Sequence, residues 1–469
     1  MQIKRLISLL LALVLLFCMI GCAEQEQPPV TPPGGDETPP EGDPPVNKKL
    51  TITGPTHIAV GEILRVELSG ENCDPSTARI TLSNPAAAQN GDQLTMLENR
   101  CNMRLLQAGE LTVTAICEGI EASYTVTVLP KNAEYDYSDT LIRYLGRTVA
   151  QNGAQVFRNT ASGYEVTFYG KKLTAKMPNL SGTTVMSVFV DDETDPKANK
   201  IYLGGGEVVL AEFDRAGVHT VRVQKITEES ISVGSLASLM VEGGGLIATE
   251  AKESLKIVAY GDSITCGYGN MRPDAAVDGL SADTQNGLMT YAAIAARELG
   301  AEYEAFSRSG IGLYTNAHNM PYNMKDVYDY ISPMSDGSQR WDLSADKPDI
   351  VIINLGTNDL GATENKADNI PDGFPFYSHD GMRDAYVEFV QSLNEAYGEG
   401  VVYFLVGGMM TSGTNTAMQG AVAILTEAGI NAHTVDLPAR TGYGGHPTVD
   451  VHQAAAAVLA EEIEKVMLG

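Results

Sequence analysis

At Leu255 the hydrophobic pattern of this chain changes period, and the change limits what each side of it can become. Upstream, from residue 50 to Ala248, apolar residues alternate with polar ones in short runs such as "LTITG", "LRVEL", "ELTVTAI", "SGYEVTFYG" and "GVHTVRVQKI". A period of two belongs to half-buried strands, so this part reads as all-β, with turn residues between the runs. Downstream, solid apolar runs of strand length alternate with longer helical stretches. That order predicts a parallel sheet covered by helices on both faces, with functional groups at the carboxyl ends of its strands.

The pattern places strands at Lys256–Tyr260, Glu302–Phe306, Ile350–Leu355, Val401–Val406 and Ala432–Val435. Helices are expected at Leu288–Leu299, Met382–Tyr397, Met418–Ala428 and Val451–Met467. With 469 residues the chain is too long for a single core. It divides into five segments: 1–22, 23–49, 50–130, 131–253 and 254–469.

The first two segments are not folded domains. Lys4 and Arg5 precede an apolar stretch, Leu6 to Ile20, too short for a comfortable membrane span and suited to a signal peptide. The stretch ends in "MIGC", Met19 to Cys22. Residues 23–49 then hold eight of the 22 prolines and almost no apolar side chains, so they read as an extended tether. Export favours oxidised thiols, so Cys73, Cys101 and Cys117 can include one disulfide, although the sequence does not choose the pair. A formal charge of -27 without clustered Lys or Arg argues against a nucleic-acid partner. The seven histidines are scattered and no CxxC occurs, so neither a metal site nor a cofactor is expected.

In the last segment, the residues just past each strand identify the candidate site. "GDSIT" puts Ser263 directly after the first strand. "SRSGIGLYTN" comes after the second, where Gly310 lets a backbone N–H approach a ligand, with Gly312 as the competing choice. "INLGTNDL" puts Asn358 past the third, and "GYGGHPTVDVHQ" puts His446 in a Gly-rich loop before the last helix and His452 inside that helix. A hydroxyl, an imidazole and two donors would converge, as acyl transfer requires. Ser263 alone could be a helix cap, Asn358 a loop cap and His452 a packing residue. Asp262 and Asp359 suit bracing of loops, and Cys266 suits packing.

"GDSIT", the Ser309–Gly310 pair, "GTND" and a late "HP" in this order resemble the blocks of SGNH, or GDSL-type, hydrolases. The longer forms "GDSITCGYGN", "SGIGLYTN" and "VINLGTND", with "RYLGRT" and "HTVRVQKITE" upstream, resemble carbohydrate esterase family 2 over residues 135 to 469. The resemblance implies a jelly-roll β-sandwich over 131–253 joined to an SGNH hydrolase over 254–469. It also implies removal of O-acetyl groups from plant cell-wall polysaccharides or oligosaccharides. Residues 50–130 resemble a bacterial Ig-like β-sandwich, and "MIGC" resembles a lipobox, which implies lipidation of Cys22 and an extracytoplasmic, membrane-anchored protein.

On this reading Ser263 is the nucleophile and His446 its base, with an oxyanion hole formed by the N–H groups of Ser263 and Gly310 and the amide of Asn358. One departure stands out. The Asp that commonly precedes the base by three residues, or by two in many members of family 2, is replaced here by Tyr443 and Gly444. A Ser-His dyad is the reading adopted, with Asp436 or Asp450 reaching in from elsewhere as the alternative. The competing functions are a lipase-like esterase of the same superfamily and an inactive, carbohydrate-binding surface protein.

Overall fold

The computed structural model describes residues 47–197, 200–250, 254–273, 279–337, 339–438 and 445–468. The leader, Cys22 and all but the end of the tether lie outside the described residues. Every strand expected downstream of Leu255 is present, with ends displaced by two residues at most, and each expected helix starts within three residues of its predicted position.

Two sheets form the first β-region. One has three strands, Lys49–Thr53, Ile63–Glu71 and Arg100–Arg104; the other has four, His57–Ala59, Ile120–Leu129, Gly109–Cys117 and Arg79–Leu82. Alternate residues point inward, so Leu64, Val66 and Leu68 of one sheet meet Leu111, Val113 and Ala115 of the other in one core. Cys101 and Cys117 lie in this core as thiols, not as a disulfide. Cys117 Sγ donates to the Asp74 carbonyl, and Cys73 Sγ to the Lys49 carbonyl.

The second β-region is built on a long antiparallel pair, Gly163–Lys176 with Glu207–Lys225, in an eight-stranded sheet. A four-stranded sheet, Thr148–Gln151, Ala154–Phe157, Ser232–Leu236 and Asn179–Gly182, belongs to the same region. Phe157 and Leu236 from the smaller sheet and Tyr164, Val166, Phe168, Val221 and Val223 from the larger share one core.

In the third region five parallel strands run in the order Glu302–Ser307, Lys256–Gly261, Ile350–Asn354, Val402–Gly408, Ala432–Leu437. Strand order reverses at Lys256–Gly261, which opens a crevice beyond its carboxyl end. Helices His379–Tyr397 and Asn415–Glu427 cover one face, packing Phe389, Leu393 and Leu425 on Val351, Ile353 and Leu405. On the other face, helices Tyr291–Glu298 and Val449–Leu468 enclose a core that also takes in Ala161, Val185, Phe189 and Ile226 of the second β-region. The two regions therefore share a core. Arg147 seals the contact: fully buried, it donates to Glu304 at 3.0 Å, to the Tyr260 hydroxyl at 2.7 Å and to the carbonyls of Tyr328 and Tyr330.

Candidate active site

The strand Lys256–Gly261 runs into a single helical turn, Ser263–Cys266. Asp262 caps it, its carboxylate accepting the Ile264 N–H at 3.0 Å, and Gly267 closes it in the left-handed conformation. This tight strand-to-helix turn holds Ser263 at the mouth of the crevice, 5 % exposed. His446 arrives from the loop before the last helix. Its Nε2 lies 2.7 Å from Ser263 Oγ, the geometry in which a hydroxyl donates to a neutral imidazole.

The histidine is held on two sides. Tyr268 stacks on its ring, with centroids 4.1 Å apart, and Arg272 donates to its backbone carbonyl. Asn270 accepts the Val449 N–H at 3.1 Å through its carbonyl, so the segment after Ser263 also fixes the start of the last helix. Motif reasoning does not single out Tyr268 or Arg272, although both stand in or beside the "GYGN" of the first block.

Asn358 lies past the third strand, where its block predicts. Its Nδ2 donates to the Ile311 carbonyl at 2.8 Å and reaches Asp262 Oδ2 at 3.2 Å. The amide thereby joins the neighbour of Gly310 to the neighbour of Ser263. Gly310 takes φ +87°, a conformation that L side chains rarely adopt, at the bend after the second strand. Gly312 serves a different purpose, since a Cβ there would stand 1.9 Å from the Thr315 carbonyl, and its own carbonyl accepts the Met324 N–H. It belongs to the next turn, which Asp359 ties down by accepting from the N–H groups of Leu313, Tyr314 and Thr315.

Asp262 and Asp359 thus brace loops, as their positions suggested. Both are fully buried, and that burial pushes Asp262 up to about 7 and Asp359 up to about 6. Burial likewise raises the Cys266 thiol far above its ordinary range; its Sγ sits 3.2 Å from Ser307 Oγ, a packing position as expected. His452 is buried inside the last helix and accepts the Tyr291 N–H at 3.1 Å.

Of the two carboxylates that could complete a triad, Asp436 accepts from Asn415 Nδ2 at 2.9 Å and Asp450 from the Thr448 hydroxyl. Both are exposed, and Tyr443 and Gly444 lie outside the described residues. Among the described residues no group of three or more His, Cys, Asp or Glu side chains is arranged to hold a metal.

Two family models match the chain. Residues 144–249 match the carbohydrate esterase 2 N-terminal family, and residues 259–464 the GDSL-like lipase/acylhydrolase family. The cellulase/esterase CelE of Acetivibrio thermocellus is 28% identical over 344 residues, covering 71% of this chain but only 39% of that protein. An acetylxylan esterase / glucomannan deacetylase of Cellvibrio japonicus is 24% identical over 340 residues, covering 70% of this chain and 90% of its own length. The solved structure of a family two carbohydrate esterase from Clostridium thermocellum in complex with cellohexaose has a TM-score of 0.61 and 27% identity, over 70% of this chain and 99% of that one. Over the second and third regions the chain is thus similar to carbohydrate esterases of family 2.

Proposed function

We propose that this protein is a serine esterase that removes O-acetyl groups from plant cell-wall polysaccharides or their oligosaccharides. The observation that carries the reading is the 2.7 Å contact between Ser263 Oγ and His446 Nε2 at the sheet's reversal crevice. His446 takes the hydroxyl proton as Ser263 Oγ bonds to the acetyl carbon. The carbonyl oxygen becomes an oxyanion stabilised by the N–H groups of Ser263 and Gly310 and by Asn358 Nδ2, whose longer 3.2 Å bond to Asp262 Oδ2 gives way to it. Collapse breaks the ester bond, and the sugar hydroxyl leaves with the proton from His446. Water, deprotonated by His446, then releases acetate from Ser263.

An acetyl group on a sugar suits the rim better than a long acyl chain. The segments 310–324 and 361–380 meet where the Asn319 N–H donates to the Asn369 carbonyl, around a hollow in which Asn319, Asp368 and Asp372 stand among Pro321, Ala367, Ile370 and Pro371. The three polar side chains can pair with hydroxyls and interrupt the apolar wall that a fatty chain needs. Relatives named acetylxylan esterase / glucomannan deacetylase support the same substrate class.

The remaining segments fit an export and display role. The reading includes an Ig-like spacer over 50–130, a jelly roll over 131–253 and a lipid on Cys22, supported by the two-sheet cores and by the "MIGC" sequence. Acetate release from acetylated mannan and xylan, beside acetyl and octanoyl chromogenic esters, tests the activity. We expect acetyl esters to be cleaved much faster than octanoyl esters, and Ser263→Ala to lower turnover by several orders of magnitude. Equal rates on acetate and octanoate would favour a lipase, and an active Ser263→Ala would refute the mechanism.

A further inference from the structure

One buried carboxylate from the second β-region reaches the candidate oxyanion loop. Glu228 lies just past the long strand Glu207–Lys225 and is 1 % exposed. Its Oε1 accepts from the Ser309 hydroxyl at 2.6 Å, and its Oε2 accepts the Ser309 N–H at 3.0 Å. Gln285 clasps the same residue from the third region: its Nε2 donates to Oε1 at 3.3 Å, and its Oε1 accepts the Glu228 N–H at 2.8 Å. Cys266, the last residue of the turn that begins with Ser263, stands 3.6 Å from Oε2. Glu228 therefore touches both the residue before Gly310 and the turn that carries the nucleophile.

We propose that Glu228 is a positioning residue for the esterase reaction, aiming the Gly310 N–H at the oxyanion by fixing Ser309 from across the interface between the two regions. The inference rests on the esterase reading. Gly310 is conformationally permissive, so its N–H direction depends on the peptide plane it shares with Ser309. Two bonds from one carboxylate to the backbone and side chain of Ser309 fix that residue, and charge-assisted bonds of this kind are about twice as strong as neutral ones. A carboxylate buried this deeply is costly unless its oxygens are satisfied. Here they are, by Ser309 and Gln285, with Arg308 as a cation whose field reaches it. Glu229 next to it is already paired with Arg158 at 2.6 Å and makes no such contact with the loop among the described residues.

The test uses the full chain and counts sites by the extent of phosphonylation of Ser263, so that misfolded protein does not enter the rate. Glu228→Gln presents one acceptor and one donor to a serine that offers two donors, and the loop loses its register. Because a misplacement of about 1 Å can cost ~100-fold in rate, we expect kcat per titrated site to fall roughly 10- to 100-fold with KM within about twofold. Ser309→Ala breaks the hydroxyl contact from the loop side and should lower kcat by a smaller factor. The double variant should fall no further than Glu228→Gln alone.

A merely structural glutamate would instead lower the melting temperature and the number of titratable sites while leaving kcat per site within twofold. That result overturns the inference, as does a loss confined to KM. Should Glu228→Gln fail to fold, Ser309→Ala decides: an unchanged kcat refutes the proposal and a reduced one supports it. The Ser263→Ala control separates the two levels. If it stays active the esterase mechanism fails, whereas an inactive Ser263→Ala beside an unaffected Glu228→Gln removes only the role of Glu228.

Discussion

Among the described residues, His446 is held by a ring and a guanidinium. Stacking on Tyr268 restricts the imidazole plane, and Arg272 fixes the backbone that carries it. Asp436 and Asp450 are both exposed and already engaged, with Asn415 and Thr448. A solvated carboxylate is a weak orienting group, so Asp436→Asn and Asp450→Asn should each keep activity within about threefold, against ~10⁴ for removal of a true triad Asp. Steady-state rates on an acetyl ester would check this, and a thousandfold loss in either variant would identify a third member of the site. Ser263, Gly310, Asn358 and His446 were legible because each stands in a short block whose residue types the chemistry demands. Glu228, Tyr268 and Arg272 were not, because their partners lie tens to hundreds of residues away and only folding brings them together.

Among the elements, the helix Tyr291–Glu298 depends on its neighbour for its start. Its cap residue Thr290 makes no side-chain capping bond, and His452 of the last helix accepts the Tyr291 N–H instead. Only a neutral ring can accept there. Burial, with the field of His446 adding to it, pushes His452 down to about 3, far below the ~6.5 of an unfolded histidine. Between those values the folded state binds fewer protons than the unfolded one. This contribution is complete above pH 6.5 and is lost as pH falls toward 3, at up to ~1.4 kcal/mol per pH unit. His452→Asn, which keeps an acceptor but does not titrate, should be less stable than the wild type at pH 8, and the gap should narrow and then invert on acidification. Thermal melts from pH 8 to pH 4 would test it, and a gap independent of pH would sink the idea. The helix itself was readable from its alanine-rich apolar pattern. How its first turn is satisfied was not, since a cap supplied by another helix leaves no local trace.

At the scale of the molecule, the second β-region is part of the catalytic unit. Residues 254–469 alone would lose Arg147, which leaves Glu304 only the longer 3.8 Å contact with Lys256, takes one partner from the Tyr260 hydroxyl and removes the donor to the carbonyls of Tyr328 and Tyr330, and would uncover the face packed on Ala161, Val185, Phe189 and Ile226. Breaking a buried ion pair from one side costs about 3–5 kcal/mol, and each lost large apolar contact adds ~1.5–3 kcal/mol. Those losses approach the ~5–15 kcal/mol that a whole domain has in reserve. The same cut removes Glu228 and its hold on Ser309. The period change at Leu255 marks where the fold class changes, but it does not mark a boundary in the core, because hydrophobic pattern reports which side chains are buried and not which neighbour buries them. The 254–469 fragment should therefore express as aggregate or melt without cooperativity, whereas 131–469 should unfold in one cooperative transition and keep its turnover on acetyl esters. Urea unfolding followed by tryptophan fluorescence from Trp341, with activity measured on the same samples, decides between these outcomes. A 254–469 fragment that unfolds cooperatively with full activity would show that the shared core contributes little and that the two regions are separable.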